Sequence, residues 1–416
     1  MEYDAAVSTG ETLVRRAAGT KVAHHTMREV NRSIVLDILR EGRPVSRVEL
    51  SRRTGLSKPT VSSIIEDLVG GGLVREMGTE ASTHRTGRPA SLLVYNERAV
   101  AFAGIQFGVN TTHVAIADGL GNLVATSTTP AVHGDLDQSV RDAQKALREA
   151  AATAGMKRDQ LRGVGIAVPG LVDVETGRCI VAPNIHWRDA PVRQRIEAAL
   201  CVPAVVANST HAAAIAEARL SGADYASLVW VYAGTGVGAG IVVDGALFTG
   251  ARGFAGEIGH APAIDNGVRC SCGNRGCVET MAGTTAIARL AAEAIDRGAG
   301  PALSAHRGHV TAEVVAHLAD EGDRDALAVI GLAGDHLGRA IACVIDVLSP
   351  NAVVLGGPLA MMSGAYVDAV RASVARHALP VEPVPVQLTA LGPHAPLLGV
   401  VQLAMGRATP SYRVVS

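Results

Sequence analysis

The sequence predicts a small helix-turn-helix module followed by a larger α/β domain made of two similar lobes. Three features indicate this architecture: capped helices around a glycine turn near residue 55, two strand–turn–strand patterns that continue into helices, and a Cys- and His-rich loop over residues 256–279. With 416 residues, the chain has length for two or three domains. Because 48% of the residues are hydrophobic but only 3% are aromatic, the cores must consist mainly of aliphatic side chains.

The composition is typical of a cytoplasmic protein that has no membrane partner. No apolar run of about eighteen residues occurs, and no charged-then-apolar leader opens the chain. Three scattered cysteines, Cys179, Cys201 and Cys343, are expected to be small buried hydrophobes. The net charge is −1, yet residues 21–98 hold 13 Lys and Arg against 9 Asp and Glu. This modest basic excess is compatible with a nucleic-acid-binding segment.

Residues 21–95 are predicted to form a winged helix-turn-helix, preceded by a mobile arm over residues 1–20. Apolar residues at helical spacing between 34 and 39 predict the first helix. Ser46 is expected to cap a second helix, Arg47–Thr54, with Glu49 completing a capping box.

A glycine turn at residues 55–57 leads to the helix that we expect to contact DNA. Ser57 can cap this helix, and Pro59 fits its first turn because the missing N–H has no helical acceptor there. One face of the helix is apolar, whereas Lys58, Thr60 and neighbouring serines lie on or near the opposite face. Such side chains suit contacts with phosphates and base edges.

Two short strands, at residues 73–75 and 92–94, bracket a polar segment that contains Arg85 and Arg88. This arrangement is typical of a winged helix whose tip can enter a minor groove. A small helical dimerisation module with solvated serines is the alternative. The predicted DNA-binding residues are Arg47, Ser57, Lys58, Thr60, Ser62, Arg85 and Arg88.

The loop over residues 256–279 holds one histidine and three cysteines at short spacing. His260, Cys270, Cys272 and Cys277 offer an imidazole and three thiols, which fill the tetrahedral shell of a structural Zn²⁺ site. Free core thiols or a disulfide are the alternatives, but a disulfide is not expected without a secretory segment. A closed shell has no position for a catalytic water, so we expect the ion to act as a scaffold.

Residues 96–416 are predicted to form an α/β domain of two lobes. Each half begins with a strand, a glycine turn and a second strand, and then continues into helices. A duplicated lobe implies a cleft between the halves, where small ligands commonly bind. The expected strands span residues 101–105, 113–117, 164–168, 228–232, 240–243 and 352–355.

Several short motifs accompany the zinc loop. They are Val168-Pro169-Gly170, Ala182-Pro183-Asn184, Gly234-Thr235-Gly236-Val237-Gly238, Gly356-Gly357 and, at the end of the wing, Thr-Gly-Arg-Pro at residues 86–89. Together with the loop they resemble the ROK family, which contains sugar kinases and sugar-responsive repressors, from about residue 32 to residue 399. The resemblance implies an actin-like, ribonuclease-H-like pair of lobes. It also implies a regulator, because the repressors of the family carry a winged helix and the kinases lack one.

The resemblance further implies a sugar site. The residues that match the family's sugar-binding positions are Asn184, Asn208, Glu257, His260 and Glu279. Carboxylates and carboxamides can both accept hydrogen bonds from sugar hydroxyls, and carboxamides can also donate them. His260 would then bind zinc with one ring nitrogen and face the sugar with the other. From the residues alone, Asn184 could equally be a turn residue and Asn208 a cap at the end of a strand.

The chain departs from the kinases of the family at two motifs. Their Asp-x-Gly-Gly-Thr is replaced by Gln106-Phe107-Gly108-Val109-Asn110, and the catalytic Asp after Asn is replaced by Ser209. A serine without a neighbouring base is no general base at neutral pH, and His211 is better interpreted as a helix-start residue than as a substitute. Because phosphoryl transfer depends on positioning and charge neutralisation, we expect no kinase activity.

The expected function is that of a DNA-binding transcriptional regulator, a repressor, controlled by a sugar effector. The alternatives are an active sugar kinase with an attached DNA-binding domain, or a regulator that no longer binds sugar. The expected cofactor is one structural Zn²⁺ ion. The expected partners are operator DNA, a sugar or sugar phosphate, and further copies of the chain in a dimer or tetramer. Ligand-driven changes in the spacing of two winged helices would alter operator affinity.

Overall fold

The computed structural model describes residues 20–79, 91–223 and 225–408, with side chains from residue 27 onward. The described residues divide into two compact units, one that ends at Asn96 and one from Glu97 to Ala408. The first unit consists of α1 (Thr20–Arg40), β1 (Val45–Ser46), α2 (Arg47–Thr54), α3 (Lys58–Gly70), β2 (Val74–Thr79) and β3 (Ser91–Tyr95).

The first unit is a winged helix-turn-helix, as predicted. Strand β3 lies between β1 and β2 in an antiparallel sheet, and the three helices pack around a core that includes Leu39, Leu50, Ile65 and Leu93. The glycine turn, with Gly55 at φ 70°, connects α2 to α3. Residues 1–19 of the arm predicted over residues 1–20, and the wing tip with Arg85 and Arg88, lie outside the described residues.

Two details of this unit differ from the prediction. Helix α1 begins at Thr20, earlier than the apolar pattern indicates, because its first turns contain few apolar residues. The capping box is incomplete: Ser46 Oγ accepts a hydrogen bond from Glu49 N at 3.2 Å, but the Glu49 carboxylate accepts one from Arg52 Nε at 2.8 Å. The prediction for Glu49 is therefore wrong, since an arginine one turn later offers it a charge-assisted partner.

The second unit contains two lobes, each built on a five-stranded sheet. The first lobe comprises β4 (Ala101–Gln106), β5 (Thr111–Asp118), β6 (Leu123–Pro130), α4 (Leu136–Ala154), β7 (Leu161–Val168), β8 (Leu171–Asp173), β9 (Arg178–Ala182), β10 (Trp187–Ala190), α5 (Val192–Leu200) and β11 (Ala204–Asn208). The remaining elements are α6 (Ser209–Leu220), β12 (Leu228–Ala233), β13 (Val237–Val243), β14 (Ala246–Phe248), α7 (Glu279–Ala282), α8 (Thr284–Asp296), α9 (Pro301–Ser304), α10 (Ala312–Asp320), α11 (Arg324–Leu348), β15 (Ala352–Gly356), α12 (Pro358–Met362), α13 (Gly364–His377), β16 (Val386–Leu388) and α14 (Ala395–Ala408).

The two large sheets have the same topology. The first has the order β11-β7-β4-β5-β6 and the second the order β14-β13-β12-β15-β16, so the first strand of each lobe is central. In each sheet the first three strands form an antiparallel meander, and two further strands add in parallel on the other side. This repeat confirms the predicted duplication and the ribonuclease-H-like class. A smaller antiparallel sheet, β8 to β10, extends from the first lobe.

Helices α6 and α14 lie between the two sheets. Helix α6 packs on β12 and β13, whereas α14 packs on α6 and covers β4 and β7. The backbones approach closely where a side chain is missing: a Cβ added at Gly165 of β7 would lie 1.9 Å from Val400 O, and one at Gly399 would lie 1.8 Å from Ala212 O. Gly165 allows α14 to pack directly against β7 of the first lobe, and Gly399 allows it to pack directly against α6.

Helix α11 is, in the described part of the chain, long and apolar enough to span a membrane by length and composition, and half of its most apolar window is buried. Its buried residues, among them Ile330, Leu337 and Ile341, belong to the core of the second lobe. The scattered cysteines correct one prediction: Cys179 is buried, but Cys201 and Cys343 are exposed. Cys201 follows α5 in a left-handed conformation, and Cys343 lies on the outer face of α11.

Candidate functional site

A cleft of about 470 Å³ opens in the second unit and is lined by residues of both lobes. All five residues of the predicted sugar site line it, and they come from four places in the fold. Asn184 follows β9, Asn208 ends β11, Glu257 and His260 lie on the loop after β14, and Glu279 begins α7. The fold therefore brings together side chains that are up to 95 residues apart in sequence.

The four predicted metal ligands form one cluster beside this cleft. One ligand atom from each of His260, Cys270, Cys272 and Cys277 lies within 4.8 Å of the others. Cys272 Sγ and Cys277 Sγ are 3.7 Å apart, and Cys270 Sγ is 3.5 Å from His260 Nδ1. A tetrahedral zinc shell has edges of about 3.8 Å between two sulfurs and about 3.6 Å between sulfur and nitrogen. The donor set and its spacing therefore fit a closed Cys₃His site.

The thiols of this cluster need a cation to be stable as thiolates. Burial raises the pKa of both the Cys270 and the Cys277 thiol, so without an ion they would remain protonated at neutral pH. All six cysteines are free, so no disulfide competes for the cluster. The chemistry of the site thus agrees with the geometry.

The loop that carries Glu257 and His260 lies directly against strand β13. A Cβ added at Gly259 would be 2.0 Å from Val237 O, and one at Gly256, whose φ is 92°, would be 2.0 Å from Ala239 O. Ala239 N also donates a hydrogen bond to Gly256 O at 2.7 Å. Only residues without a side chain permit this approach, so the glycines hold the functional segment against the sheet.

Two carboxylates, Glu257 and Glu279, lie beside the metal ligands. Glu279 Oε2 accepts a hydrogen bond from Val237 N at 3.1 Å, while its Oε1 is 3.8 Å from Cys270 Sγ. His260 Nε2 is 3.7 Å from Glu257 Oε2, too far for a hydrogen bond but suitable for a bridging hydroxyl. Burial raises the pKa of Glu257; His260 opposes this shift and Glu279 adds to it. His260 thus turns Nδ1 to the cysteines and Nε2 to the carboxylate.

Asn208 has a structural role in addition to its place in the cleft. Its Oδ1 accepts hydrogen bonds from Thr210 N at 2.7 Å and Thr210 Oγ1 at 2.5 Å, which makes it the N-cap of α6. Its Nδ2 donates to Gly170 O at 2.9 Å. Only one N–H of this carboxamide is left for a ligand. Asn184, in contrast, is exposed to the cleft from a single 3₁₀ turn.

A model of the ROK family matches residues 102–407. This chain belongs to the ROK family. A model of the MarR family matches residues 29–84, which cover most of the winged helix. The ROK match extends over both lobes, the zinc loop and the cleft.

Two relatives and one solved structure illustrate the range of this family. The chain is 29% identical over 398 residues to the putative xylose repressor of Caldicellulosiruptor sp. (strain Rt8B.4), which covers 94% of this chain and 99% of that protein. It is 32% identical over 288 residues to the glucokinase of Halalkalibacterium halodurans, with 67% and 86% covered. Its fold is similar to that of a ROK family transcriptional regulator described as a homolog of the E. coli MLC protein, with a TM-score of 0.78, 26% identity and coverage of 92% and 98%. The similarity to the two regulators extends over more than nine-tenths of this chain, whereas that to the kinase extends over two thirds of it.

Three of the residues at which we predict a departure from the kinase motifs lie in the same cleft, whereas Asn110 is not among its lining residues. Gln106, Val109 and Ser209 all line it. Ser209 Oγ is buried and has no hydrogen-bond partner among the described residues. A buried hydroxyl without a partner is unfavourable, so a ligand hydroxyl at this position would satisfy it.

Aromatic side chains fill the space between the two glycine loops of the second lobe. A Cβ added at Gly234 would lie 2.5 Å from the Tyr232 hydroxyl, and one at Gly357 would lie 2.9 Å from the same ring. A Cβ added at Gly356 would likewise lie 2.2 Å from the Trp230 ring. The loop before β13 nevertheless stays open to the cleft, because Gly236 and Gly238 both line it. Sequence reasoning missed Tyr232 and Trp230 because neither belongs to a glycine motif.

His211 points away from the cleft. It lies in the first turn of α6, it is buried, and its Nε2 donates a hydrogen bond to Ala255 O at 2.8 Å. Burial lowers its pKa, so the ring stays neutral and acts as a tether between α6 and the segment that precedes Glu257. It does not replace the missing catalytic base.

The first unit presents the N-terminal turn of α3 to solvent. Ser57 Oγ accepts a hydrogen bond from Thr60 N at 3.3 Å and lies 2.8 Å from Thr60 Oγ1, so both residues stabilise the helix start. Lys58 is exposed and Ser62 is half-buried. Arg47 donates from Nη2 to Glu76 Oε1 at 2.9 Å, which ties α2 to the wing strand β2. Of the predicted contacts, Lys58 is the exposed cation at the start of α3.

Proposed function

We propose that this protein is a DNA-binding transcriptional repressor that binds a sugar in the cleft of its ROK domain and has no kinase activity. The observation that carries the proposal is the combination of a winged helix with a cleft that keeps the polar residues for sugar hydroxyls but has Ser209 instead of the catalytic carboxylate. The names of the regulators to which the chain is similar support this proposal. Action on an operator also implies a cytoplasmic location.

In the proposed complex, five side chains hold the sugar. Glu257 and Glu279 accept hydrogen bonds from ligand hydroxyls, His260 Nε2 faces the same hydroxyls, Asn184 contributes its free carboxamide, and Asn208 its remaining N–H. A site built from several fixed polar groups discriminates strongly, because a ligand that lacks one hydroxyl leaves a buried group without a partner. A bound Zn²⁺ ion would be held by His260 Nδ1 and the three cysteines and would fix the orientation of this loop.

Two features of the cleft oppose phosphoryl transfer. Ser209 cannot accept the proton of a sugar hydroxyl at neutral pH, because no base lies next to it. Gln106 and Val109, which line the cleft, stand where the kinases of the family have the carboxylate and a glycine of their phosphate-binding motif. The retained Gly-rich loop before β13 is therefore better explained by the turn between two antiparallel strands.

The proposed regulation couples the cleft to the spacing of two winged helices in a homodimer. Helix-turn-helix dimers bind half-sites about one DNA turn apart, or a multiple of it, so a small change in the lobes alters the fit to both half-sites. We expect the sugar to release the operator. A change in operator affinity requires that the sugar bind the two states of the dimer unequally.

The decisive experiment measures operator affinity with and without sugar. An operator is first selected from random DNA duplexes with the full-length, zinc-loaded protein, and its affinity is then measured by fluorescence anisotropy with glucose, xylose and N-acetylglucosamine. We expect one sugar to weaken operator binding roughly 5- to 150-fold, the usual range of coupling between two sites. Adding ATP to the same mixture should release no ADP above background. A sugar that binds but leaves operator affinity unchanged contradicts the coupling, and sustained ADP production favours the kinase.

The role of Lys58 gives a separate prediction for the DNA-binding unit. Lys58→Ala should weaken operator binding about equally for all sequences and lower the slope of log affinity against log salt by about 1, because one phosphate contact is lost. Lys145→Ala, an exposed change on α4, is the matched control and should change neither quantity. An unchanged salt slope in the Lys58 variant would show that α3 does not approach the phosphates at this residue.

A further inference from the structure

Arg188 is a cationic residue in the cleft that sequence reasoning missed. It lies on β10, opposite Val181 of β9, and both residues line the cleft. Directly opposed residues of an antiparallel pair project from the same face of the sheet. The neighbouring Trp187 projects to the other face, where it is 3% exposed and packs in the core of the first lobe. The hairpin therefore presents Arg188 to the cleft, next to the turn that carries Asn184.

The carboxylate next to Arg188 in the hairpin pairs with another arginine. Its neighbour Asp189 has a φ of 49°, and this carboxylate accepts a hydrogen bond from Arg178 Nε at 2.8 Å instead. Arg178 also donates to Asp189 O at 2.7 Å. Within the described ranges, Arg188 makes no ion pair with a carboxylate. The hairpin thus uses one arginine for its own structure and leaves the other for a ligand.

The charges of the cleft are separated between its walls. Glu257 and Glu279 come from the zinc loop and its end, and both line the cleft. Arg188 comes from the first lobe. A ligand that binds Glu257, Glu279 and Arg188 together needs hydroxyl groups that donate hydrogen bonds to the two carboxylates. At its other end it needs an acceptor for the guanidinium of Arg188. The planar guanidinium binds phosphates and carboxylates through two parallel hydrogen bonds.

We infer that Arg188 makes the cleft select an anionic sugar derivative, a sugar phosphate or a sugar acid, over the neutral sugar. This inference rests on the proposed function, since it specifies the ligand of the same cleft. A phosphate ester and a carboxylate share the chemistry that Arg188 recognises. The residue sets specificity and takes no part in holding the metal.

The test is calorimetric titration of the full-length, zinc-loaded protein with matched ligands. The probes are glucose, glucose 6-phosphate and glucuronate, together with N-acetylglucosamine and its 6-phosphate. We expect one anionic probe to bind at least about 10-fold more tightly than its neutral parent, as a charge-assisted hydrogen bond predicts. The phosphate and carboxylate probes distinguish the two classes of anion.

Variants then assign the preference to Arg188. Arg188→Gln should remove the preference for the anion and leave affinity for the neutral parent nearly unchanged, whereas Arg188→Lys should retain part of it. Arg162→Gln, an exposed change at the start of β7, is the matched control. A neutral parent that binds as tightly as its anionic derivatives, or a preference that survives Arg188→Gln, overturns the inference and leaves the proposed function intact. Failure of every probe to bind would contradict the proposed function itself.

Discussion

The Cys277→Ser variant is expected to lose its bound zinc and at least about 100-fold of its sugar affinity. Structural zinc contributes roughly 10–16 kcal/mol of apparent binding free energy in small zinc domains, so loss of one thiolate removes more than the loop can replace. Glu257, His260 and Glu279 all lie at or beside the ligand cluster, and their positions depend on the folded loop. Zinc content by mass spectrometry and sugar affinity by calorimetry measure the two effects.

The same variant tests whether the metal only positions the residues of the cleft or stabilises the whole chain. Operator binding without sugar should stay within about twofold of the unmodified protein, because the winged helix has its own core. Cys201→Ser, at an exposed cysteine far from the cluster in sequence, should change none of these quantities. Equal loss of operator and sugar binding in Cys277→Ser would mean that the metal supports the whole chain and not the cleft.

Glu279→Gln is expected to weaken sugar binding about 10- to 100-fold while zinc content stays unchanged. A hydrogen bond to a charged group contributes about 1.5–3 kcal/mol, and the amide keeps the shape of the carboxylate but loses its charge. Its carbonyl oxygen can still accept the hydrogen bond from Val237 N, so the local structure should persist. Calorimetry of the variant with the sugar that binds best measures the loss.

The control for this variant is a carboxylate of similar type outside the cleft. Glu313→Gln lies on the exposed side of α10 and should leave sugar affinity unchanged. Glu279→Gln should also bind the operator as before when no sugar is present, but should need more sugar for release. Sugar affinity that survives the change would remove Glu279 from the proposed contacts.

The features that were predictable from sequence are those decided within a few residues. Ser46 and Ser57 cap their helices because each precedes the free N–H groups of the helix it starts. The buried stripe of α3, with Val61, Ile64 and Ile65, follows directly from helical periodicity. The cluster of predicted metal ligands was also predictable from sequence, because three of its four residues lie within eight positions of one another.

The features that were missed depend on distant parts of the chain. Arg188 enters the cleft only because β9 and β10 form a hairpin on the side of Asn208, and Tyr232 covers Gly357 across two parallel strands. The hydrogen-bond partner of Glu49 could not be predicted from the capping pattern alone, because Arg52 also offers a donor to its carboxylate. The sugar contact of Asn208 stays a prediction. Because Asn208 also caps α6, the local sequence pattern could not distinguish a helix cap from a sugar-binding residue.

The position of α14 has a consequence for the order in which the chain acquires structure. Helix α14 covers β4 and β7, whose residues are synthesised more than 220 positions earlier, and Gly165 meets Val400 in the contact. The first lobe can therefore bury this face only after residues 395–408 have been synthesised, whereas the winged helix needs only local contacts. Long-range contacts of this kind slow folding and expose apolar surface meanwhile. A nascent chain thus carries a finished DNA-binding module before it can bind an effector.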